Sequence, residues 1–199
     1  MCSSDLIVSA VHIQNCTIGN FESPSLGIGL SFSALGNSQL FVSDTIIFNN
    51  GGRAASGGVL IETGGTGSAN VVLDRVHLDN NVVGLLVDGR STQNGNGAHV
   101  VLRDSVVSGN ASHGILALSA PGKAPAFIVV ERTTSVNNAG AGILADGPRA
   151  TMLISDNTVA RNGVGINAVN GGQLISYGSN KSNNNTGPDG TPTGHYNPI

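Results

Sequence analysis

Short apolar bursts separated by polar turns recur along the chain at a nearly constant spacing. Each copy has an apolar triplet, two or three polar residues, one apolar residue and an Asn, followed by a second apolar triplet that usually opens on Gly. The Asn of each copy is, in order, Asn20, Asn50, Asn81, Asn110, Asn138, Asn162 and Asn184, and successive positions differ by 30, 31, 29, 28, 24 and 22 residues. The first copy also fits when it is shifted by one residue. Bursts of this length, rich in β-branched side chains and bounded by Gly, Asn, Ser and Asp, predict short strands and no helices.

Two apolar positions keep a fixed distance from the Asn, and we expect both to face the core. The residues eight positions before it are Val42, Leu73, Leu102, Val130 and Ile154. The residues three positions before it are Ile47, Leu78, Val107, Ser135 and Val159, among which Ser135 is the exception.

A repeat of this length, built from short strands, fits a chain that returns to its start once per turn, with successive turns about 4.8 Å apart. A sandwich of hairpins would also contain short strands, but it would not place an Asn at the same offset in every copy. An Asn at a bend tolerates the left-handed backbone region, and its amide can bond the equivalent amide one turn away. The sequence therefore predicts a structural ladder formed by Asn50, Asn81, Asn110, Asn138 and Asn162.

The repeat unit resembles the right-handed parallel β-helix of the pectin-lyase-like superfamily, in its uncharacterised bacterial branch. Segments such as Asn81-Val82-Val83-Gly84-Leu85 carry the resemblance, which extends over residues 8 to 185. It implies an all-β fold, a single-stranded right-handed parallel β-helix of about seven coils. That superfamily includes lyases, hydrolases, epimerases, adhesins and inert scaffolds, so the resemblance implies a fold and leaves the activity open.

The chain is divided accordingly into three parts. We expect a β-helix domain over residues 7–185 and a polar C-terminal tail over residues 186–199. Residues 1–6 are interpreted as a non-native N-terminal extension, which would leave Cys16 as the single native cysteine.

Composition excludes several classes of function. Only 11% of the residues are charged, the net charge is -3, and the nine Lys and Arg residues are scattered, so no nucleic-acid partner is expected. No apolar run approaches 18 residues, so no membrane insertion is expected. The His and Cys residues show no metal-ligand spacing, and neither a metal nor another cofactor is expected. The absence of Trp makes a tight glycan subsite hard to build.

Charged residues alternate in sign from one copy to the next. Those six residues before the Asn are Asp44, Arg75, Asp104, Arg132 and Asp156, and those seven before it are Ser43, Asp74, Arg103, Glu131 and Ser155. Stacked turns would place each carboxylate beside a guanidinium, which predicts a compensated ladder on the surface. The functional alternative is a polysaccharide-binding strip in which Arg75, Arg103, Asp104 and Arg132 contact acidic sugars. A calcium site is a third interpretation of the same residues.

Two further sets of residues have functional interpretations. Glu62 and Asp88 fall at the same offset in adjacent copies, and two close carboxylates could share a proton or bind a cation. His113 precedes a Gly, as in polygalacturonase-type enzymes, but the other motifs of those enzymes are missing, and a structural role at a bend is the expected one.

No catalytic residue is assigned, and the predicted function is that of a non-catalytic module. It would be exported or held at the cell surface, and would serve as a scaffold, an adhesion element or a weak polysaccharide binder. The alternative is a carbohydrate-active enzyme, a polysaccharide lyase or glycoside hydrolase that is truncated at its N-terminus. Self-association, end to end or through sheet edges, is a further expectation, because an open end of a β-helix presents unpaired strands.

Overall fold

The computed structural model describes residues 10–23, 26–52, 57–91 and 95–196, and within these ranges all regular structure is β-strand. The strands form three parallel sheets, and each strand pairs with the strand one turn away. Sheet A contains β1 (Ala10–Gln14), β4 (Asn37–Ser43), β7 (Ser68–Asp74), β10 (Gly97–Arg103), β13 (Ala126–Glu131), β16 (Ala150–Ser155), β19 (Gln173–Ser176) and β21 (Gly194–His195). Sheet B contains β2 (Thr17–Gly19), β5 (Ile46–Phe48), β8 (His77–Asp79), β11 (Val106–Ser108), β14 (Thr134–Val136), β17 (Thr158–Ala160) and β20 (Lys181–Asn183). Sheet C contains β3 (Ile28–Ala34), β6 (Gly57–Thr63), β9 (Val83–Asp88), β12 (Ile115–Leu118), β15 (Ala141–Asp146) and β18 (Val164–Val169).

The chain visits sheets A, B and C once per turn, which is the parallel solenoid that the repeat predicts. The predicted count of about seven coils is slightly high for complete turns. Six turns have a strand in all three sheets, and a further turn has described strands only in sheets A and B. The fold class is confirmed.

The core lies inside the solenoid and is built from columns of stacked side chains. Both predicted apolar columns point inward: Leu73, Leu102 and Ile154 are fully buried, as are Ile47 and Leu78. The exception, Ser135, is also buried, and its hydroxyl donates a hydrogen bond to the carbonyl of Gly142 at 2.9 Å. The core tolerates this polar residue because its donor is satisfied.

The C-terminal segment lies against the last turns. The backbone N–H of Thr186 donates to the carbonyl of Asn162 at 2.8 Å, and that of Gly187 donates to the carbonyl of Gly163 at 2.7 Å. Further along, β21 pairs with β19 and extends sheet A by one strand. This end of the solenoid is therefore covered by the chain itself.

Candidate functional site

The predicted Asn ladder is present, and its role is structural. It occupies the turn between sheets B and C, where Asn50, Asn81, Asn110, Asn138 and Asn162 are at most 2% exposed. The Oδ1 atom of Asn138 accepts hydrogen bonds from the backbone N–H of Asn110 at 3.1 Å and from its Nδ2 at 2.7 Å. The Nδ2 atom of Asn110 also donates to the carbonyl of Leu78 at 3.2 Å. Each amide thus links its own turn to both neighbouring turns.

One expectation about the ladder is wrong, because its Asn residues do not have left-handed backbones. We call each Asn of the ladder a rung. The left-handed conformation belongs to the residue directly before each rung, as at Asn80 (φ 55°), Asn137 (φ 58°) and Arg161 (φ 56°). The left-handed residue turns the chain around the corner and keeps its own side chain at the surface. The next residue therefore points inward and becomes the rung.

At both ends, the ladder position lies one residue later in the chain than the repeat in the sequence predicts. In the first turn Asn20 has the left-handed backbone, and the N–H of Phe21 donates to Asn50 Oδ1 at 3.1 Å. In the last turn Asn185, rather than Asn184, accepts from Asn162. Asp189 Oδ1 then accepts from the backbone N–H of Asn185 at 3.2 Å and from its Nδ2 at 2.8 Å. A carboxylate accepts but cannot donate, so Asp189 ends the ladder.

A second buried ladder, at the turn between sheets A and B, was not predicted. It consists of small polar residues five positions before the ladder Asn in most turns, including Ser105, Thr133 and Asn157. Asn157 Oδ1 accepts from the N–H of Thr133 at 2.9 Å, and Ser105 Oγ accepts from the N–H of Val76 at 3.1 Å. The signal in the sequence is a polar residue at a constant offset, and it is weak because Val76 interrupts it.

The alternating charges form a continuous strip outside this second ladder. Asp44, Arg75, Asp104, Arg132 and Asp156 all have positive φ values, between 44° and 55°. In each turn the left-handed residue again points to the surface while the next residue points inward. We use the name charged strip for these five residues together with Asp74, Arg103 and Glu131.

Neighbouring turns pair their charges within the charged strip. Arg75 binds Asp44 through two parallel hydrogen bonds, Nε to Oδ1 at 2.7 Å and Nη2 to Oδ2 at 2.9 Å. Arg132 binds Asp104 with the same geometry and the same two distances. Such bidentate contacts fix both partners. They occupy the N–H edge of the guanidinium that would otherwise bind a carboxylate ligand.

Arg103 is paired more loosely than the other two guanidinium groups. Its Nη2 lies 3.3 Å from Asp74 Oδ2, and its Nε lies 3.3 Å from Asp74 Oδ1. Asp74 is 8% exposed and also contacts Arg75. The structure thus brings Arg75, Arg103, Asp104 and Arg132 to one surface, as the sequence suggests. Their use in binding a polysaccharide remains a prediction.

The bidentate ion pairs move the pKa values of their four members away from neutrality. Hydrogen bonds from Arg75 lower the pKa of Asp44, and hydrogen bonds from Arg132 lower the pKa of Asp104. The same bonds raise the pKa of Arg75 and of Arg132. These groups stay ionised and paired over the physiological pH range, whereas a general acid or base works best when its pKa lies near the operating pH.

Glu62 and Asp88 are neighbours on adjacent turns, in the register that the sequence suggests. Each carboxylate already has a partner of its own. Glu62 accepts a hydrogen bond from Ser33 Oγ at 2.6 Å, and Asp88 binds Arg90, whose Nη2 lies 2.7 Å from Oδ2. Within the described ranges, no group of three or more His, Cys, Asp or Glu side chains is arranged to hold a metal ion.

His113 holds two turns together at the start of sheet C. Its Nδ1 accepts the backbone N–H of Ala141 at 2.9 Å, and desolvation by burial lowers the pKa of the imidazole below 6.5. Protonation of Nδ1 would also remove this acceptor. The geometry agrees with a structural role at the bend.

This contact predicts an acid-dependent loss of stability. Because the unfolded chain binds a proton near pH 6.5 and the folded chain only at lower pH, the unfolded state gains protons first as the pH falls. The free energy of unfolding, measured by urea titration, should therefore decrease between pH 7.5 and pH 5.5. His113→Gln should flatten this dependence, whereas the exposed control His77→Gln should keep it. Identical pH profiles for the two variants would contradict the assignment.

Two grooves lie away from the charged strip. These shallow grooves, of about 520 and 450 Å³, follow the turn outside the Asn ladder. Their lining includes Asn80, Asn137 and Arg161, with small residues such as Gly51 and Ala111 between them. Sheet B separates these two grooves from the charged strip, and neither groove is lined by a residue of that strip.

Comparison with known proteins supports the fold. Residues 92–187 match the family model described as a right-handed β-helix region. No curated protein and no solved structure matches the chain significantly. Within the described ranges there is no helix of the length and apolar character needed to cross a membrane.

Proposed function

Because this chain is a right-handed parallel β-helix repeat protein, we propose that it acts as a non-catalytic module, a rigid scaffold or adhesion element. The observation that carries this proposal is the pairing within the charged strip. Four of the eight ionisable groups in this strip are held in bidentate contacts with each other, Arg75 with Asp44 and Arg132 with Asp104.

The internal structure supports the same interpretation. Both ladders and the columns of the core connect successive turns, so the whole length of the solenoid is held as one rod. A rod of this kind suits a spacer or a presenting surface. A location outside the cell belongs to this proposal and rests on the resemblance to exported β-helix proteins.

Weak binding of acidic polysaccharides is a second candidate function, and Arg103 is the observation that favours it. Its two contacts to Asp74 are both 3.3 Å long, so this guanidinium is more easily released to a sugar carboxylate than those of Arg75 and Arg132. A polyuronide chain lying along the solenoid axis would meet the three guanidinium groups in succession.

Purified protein incubated with a panel of polyuronides tests the proposal. We expect neither unsaturated products nor new reducing ends, because the carboxylates of Asp44 and Asp104 are held in bidentate pairs with Arg75 and Arg132. Turnover that is lost in Asp104→Asn or in Glu62→Gln, while the fold is retained, would establish the enzymatic alternative instead.

Affinity electrophoresis in gels containing polygalacturonate tests the second candidate function separately. Retardation of the wild type that disappears in Arg103→Gln would support polysaccharide binding. Equal mobility of the two proteins would argue against it.

A further inference from the structure

The outer face of sheet A carries an uninterrupted column of apolar side chains. In register from turn to turn, it consists of Phe41, Val72, Val101, Val129, Leu153 and Ile175. All six are half-buried, while their neighbours along each strand point into the core. Scattered exposed apolar residues need no explanation, but a contiguous strip along one face is typical of an interaction surface.

Polar and charged residues border this apolar column on both sides. On one side lies the column Gln39, Asn70, His99, Phe127, Thr151 and Gln173, which is polar except for Phe127, whose ring centroid lies 5.6 Å from that of His99. On the other side lies the charged strip. An apolar centre with a polar rim is the usual anatomy of a protein–protein interface.

The order of charges along the strip makes this face complementary to itself. Consider a two-fold axis that runs parallel to the strands and passes between β10 and β13. Rotation about this axis reverses the direction of the solenoid axis. It places the turn that contains β10 opposite the turn that contains β13 in a second copy. Arg103 then faces Glu131, and Asp104 faces Arg132. One turn further out, Arg75 of the turn of β7 faces Asp156 of the turn of β16. Every facing pair of charges is of opposite sign.

We propose that two copies of this chain dimerise through the outer faces of sheet A, with their solenoid axes antiparallel. The same rotation places Val101 against Val129, Val72 against Leu153 and Phe41 against Ile175, so the apolar column packs on itself. A face of eight strands is about 34 Å by 20 Å, or about 700 Å² per copy. Two copies would bury about 1,400 Å², which is the size of a standard stable interface.

The charges exclude the other symmetric arrangement of the two faces. If the solenoid axes were parallel, each turn would meet the same turn of the partner, and the charged strip would lie over the column of Gln39, Asn70 and His99. The ionised groups would then lose solvent and would gain no group of opposite charge from the second copy beyond their pairs within the chain, which is costly. The antiparallel arrangement is therefore the one that the charge pattern favours.

Sedimentation velocity of the full chain over a wide concentration range, at low and at moderate salt, tests the proposal. We expect a concentration-dependent dimer with no larger species. Arg103→Glu should raise the dimer dissociation constant at least about tenfold, because it places two carboxylates face to face. The double variant Arg103→Glu, Glu131→Arg should restore the dimer, since it exchanges the charges of the facing pair.

Lys181→Glu is the matched control for this experiment. It changes the net charge by the same amount on an exposed residue of sheet B, and it should leave the dimer unchanged. Melting curves verify that each variant is folded. Val101→Asp supplies a second variant that acts on the apolar column and should also give a monomer.

Three results would overturn the proposal. They are a monomer at every concentration, a dimer that survives both Arg103→Glu and Val101→Asp, and an open-ended series of oligomers, which would indicate end-to-end stacking. A monomer that binds polygalacturonate through Arg103 would assign the face to a polysaccharide. Loss of the dimer does not affect the proposal of a non-catalytic module, which the polyuronide assay tests independently.

Discussion

Asn110→Leu should lower the free energy of unfolding by about 3 kcal/mol, because a buried donor or acceptor that loses its partner costs about 1–3 kcal/mol. The backbone N–H of Asn81 donates to Asn110 Oδ1 at 2.9 Å and would lose its acceptor. The carbonyl of Leu78 and Oδ1 of Asn138 would each lose a donor. Leu has the same branching and the same number of side-chain heavy atoms as Asn, but its methyl groups are larger, so overpacking at this buried position adds to the loss of hydrogen bonds.

Urea unfolding followed by circular dichroism provides the measurement for this variant. Asn96→Leu is the control, because Asn96 is exposed and makes one long hydrogen bond, at 3.5 Å, to the carbonyl of Thr66. We expect the control to change stability by less than about 0.5 kcal/mol, as surface substitutions usually do. Similar losses for both variants would mean that the ladder contributes no more than a surface amide.

Gly114→Ala should destabilise the chain by about 2–3 kcal/mol through overpacking. A Cβ atom at this position would lie 2.7 Å from the carbonyl oxygen of Gly142 and 2.9 Å from Asn138 Nδ2. Both groups belong to the next turn and are fixed by the ladder, so neither can move away cheaply. The same close approach to the next turn occurs at Gly58, Gly84 and Gly142.

Gly36→Ala is a matched control for this prediction. A Cβ atom at Gly36 would meet nothing within 4 Å, and its φ is not positive. This substitution should be neutral or should stabilise by about 0.4–1 kcal/mol, because Ala restricts the unfolded chain. Thermal melting of both variants gives the comparison, and a tolerated Gly114→Ala would show that neighbouring turns can separate more easily than the contacts suggest.

The Gly column shows how a local motif follows from contacts between turns. In the sequence, the Gly after each Asn marks the start of the second apolar burst, as at Gly84 and Gly114. In the structure, the residue at this position passes so close to the next rung that a side chain would collide with it. Asn and Gly therefore recur together for one reason, the close stacking of turns at the ladder.

Sequence patterns did not predict the features that depend on which residue of a neighbouring turn or of the tail a side chain contacts. The second ladder at Ser105, Thr133 and Asn157 is as buried as the first. Its positions hold different residue types, so no one residue type identifies it in the sequence. The end of the first ladder was also missed, because Asp189 belongs to a segment with no repeat pattern and reaches Asn185 only through the path of the tail.

By itself, the sequence determined the parallel solenoid, its core columns and the ladder of Asn81 and its equivalents, because a fixed period assigns every residue a side of the turn. Only the tertiary structure decided which partners the surface charges choose. Arg75 stands between Asp44 and Asp104 in the stack, yet its bidentate contact is to Asp44, and Arg132 binds Asp104. The repeat period places these groups in one column. The choice of partner depends on how neighbouring turns are offset from each other, since the paired residues are 31 and 28 positions apart, and on the rotamer that each long side chain adopts.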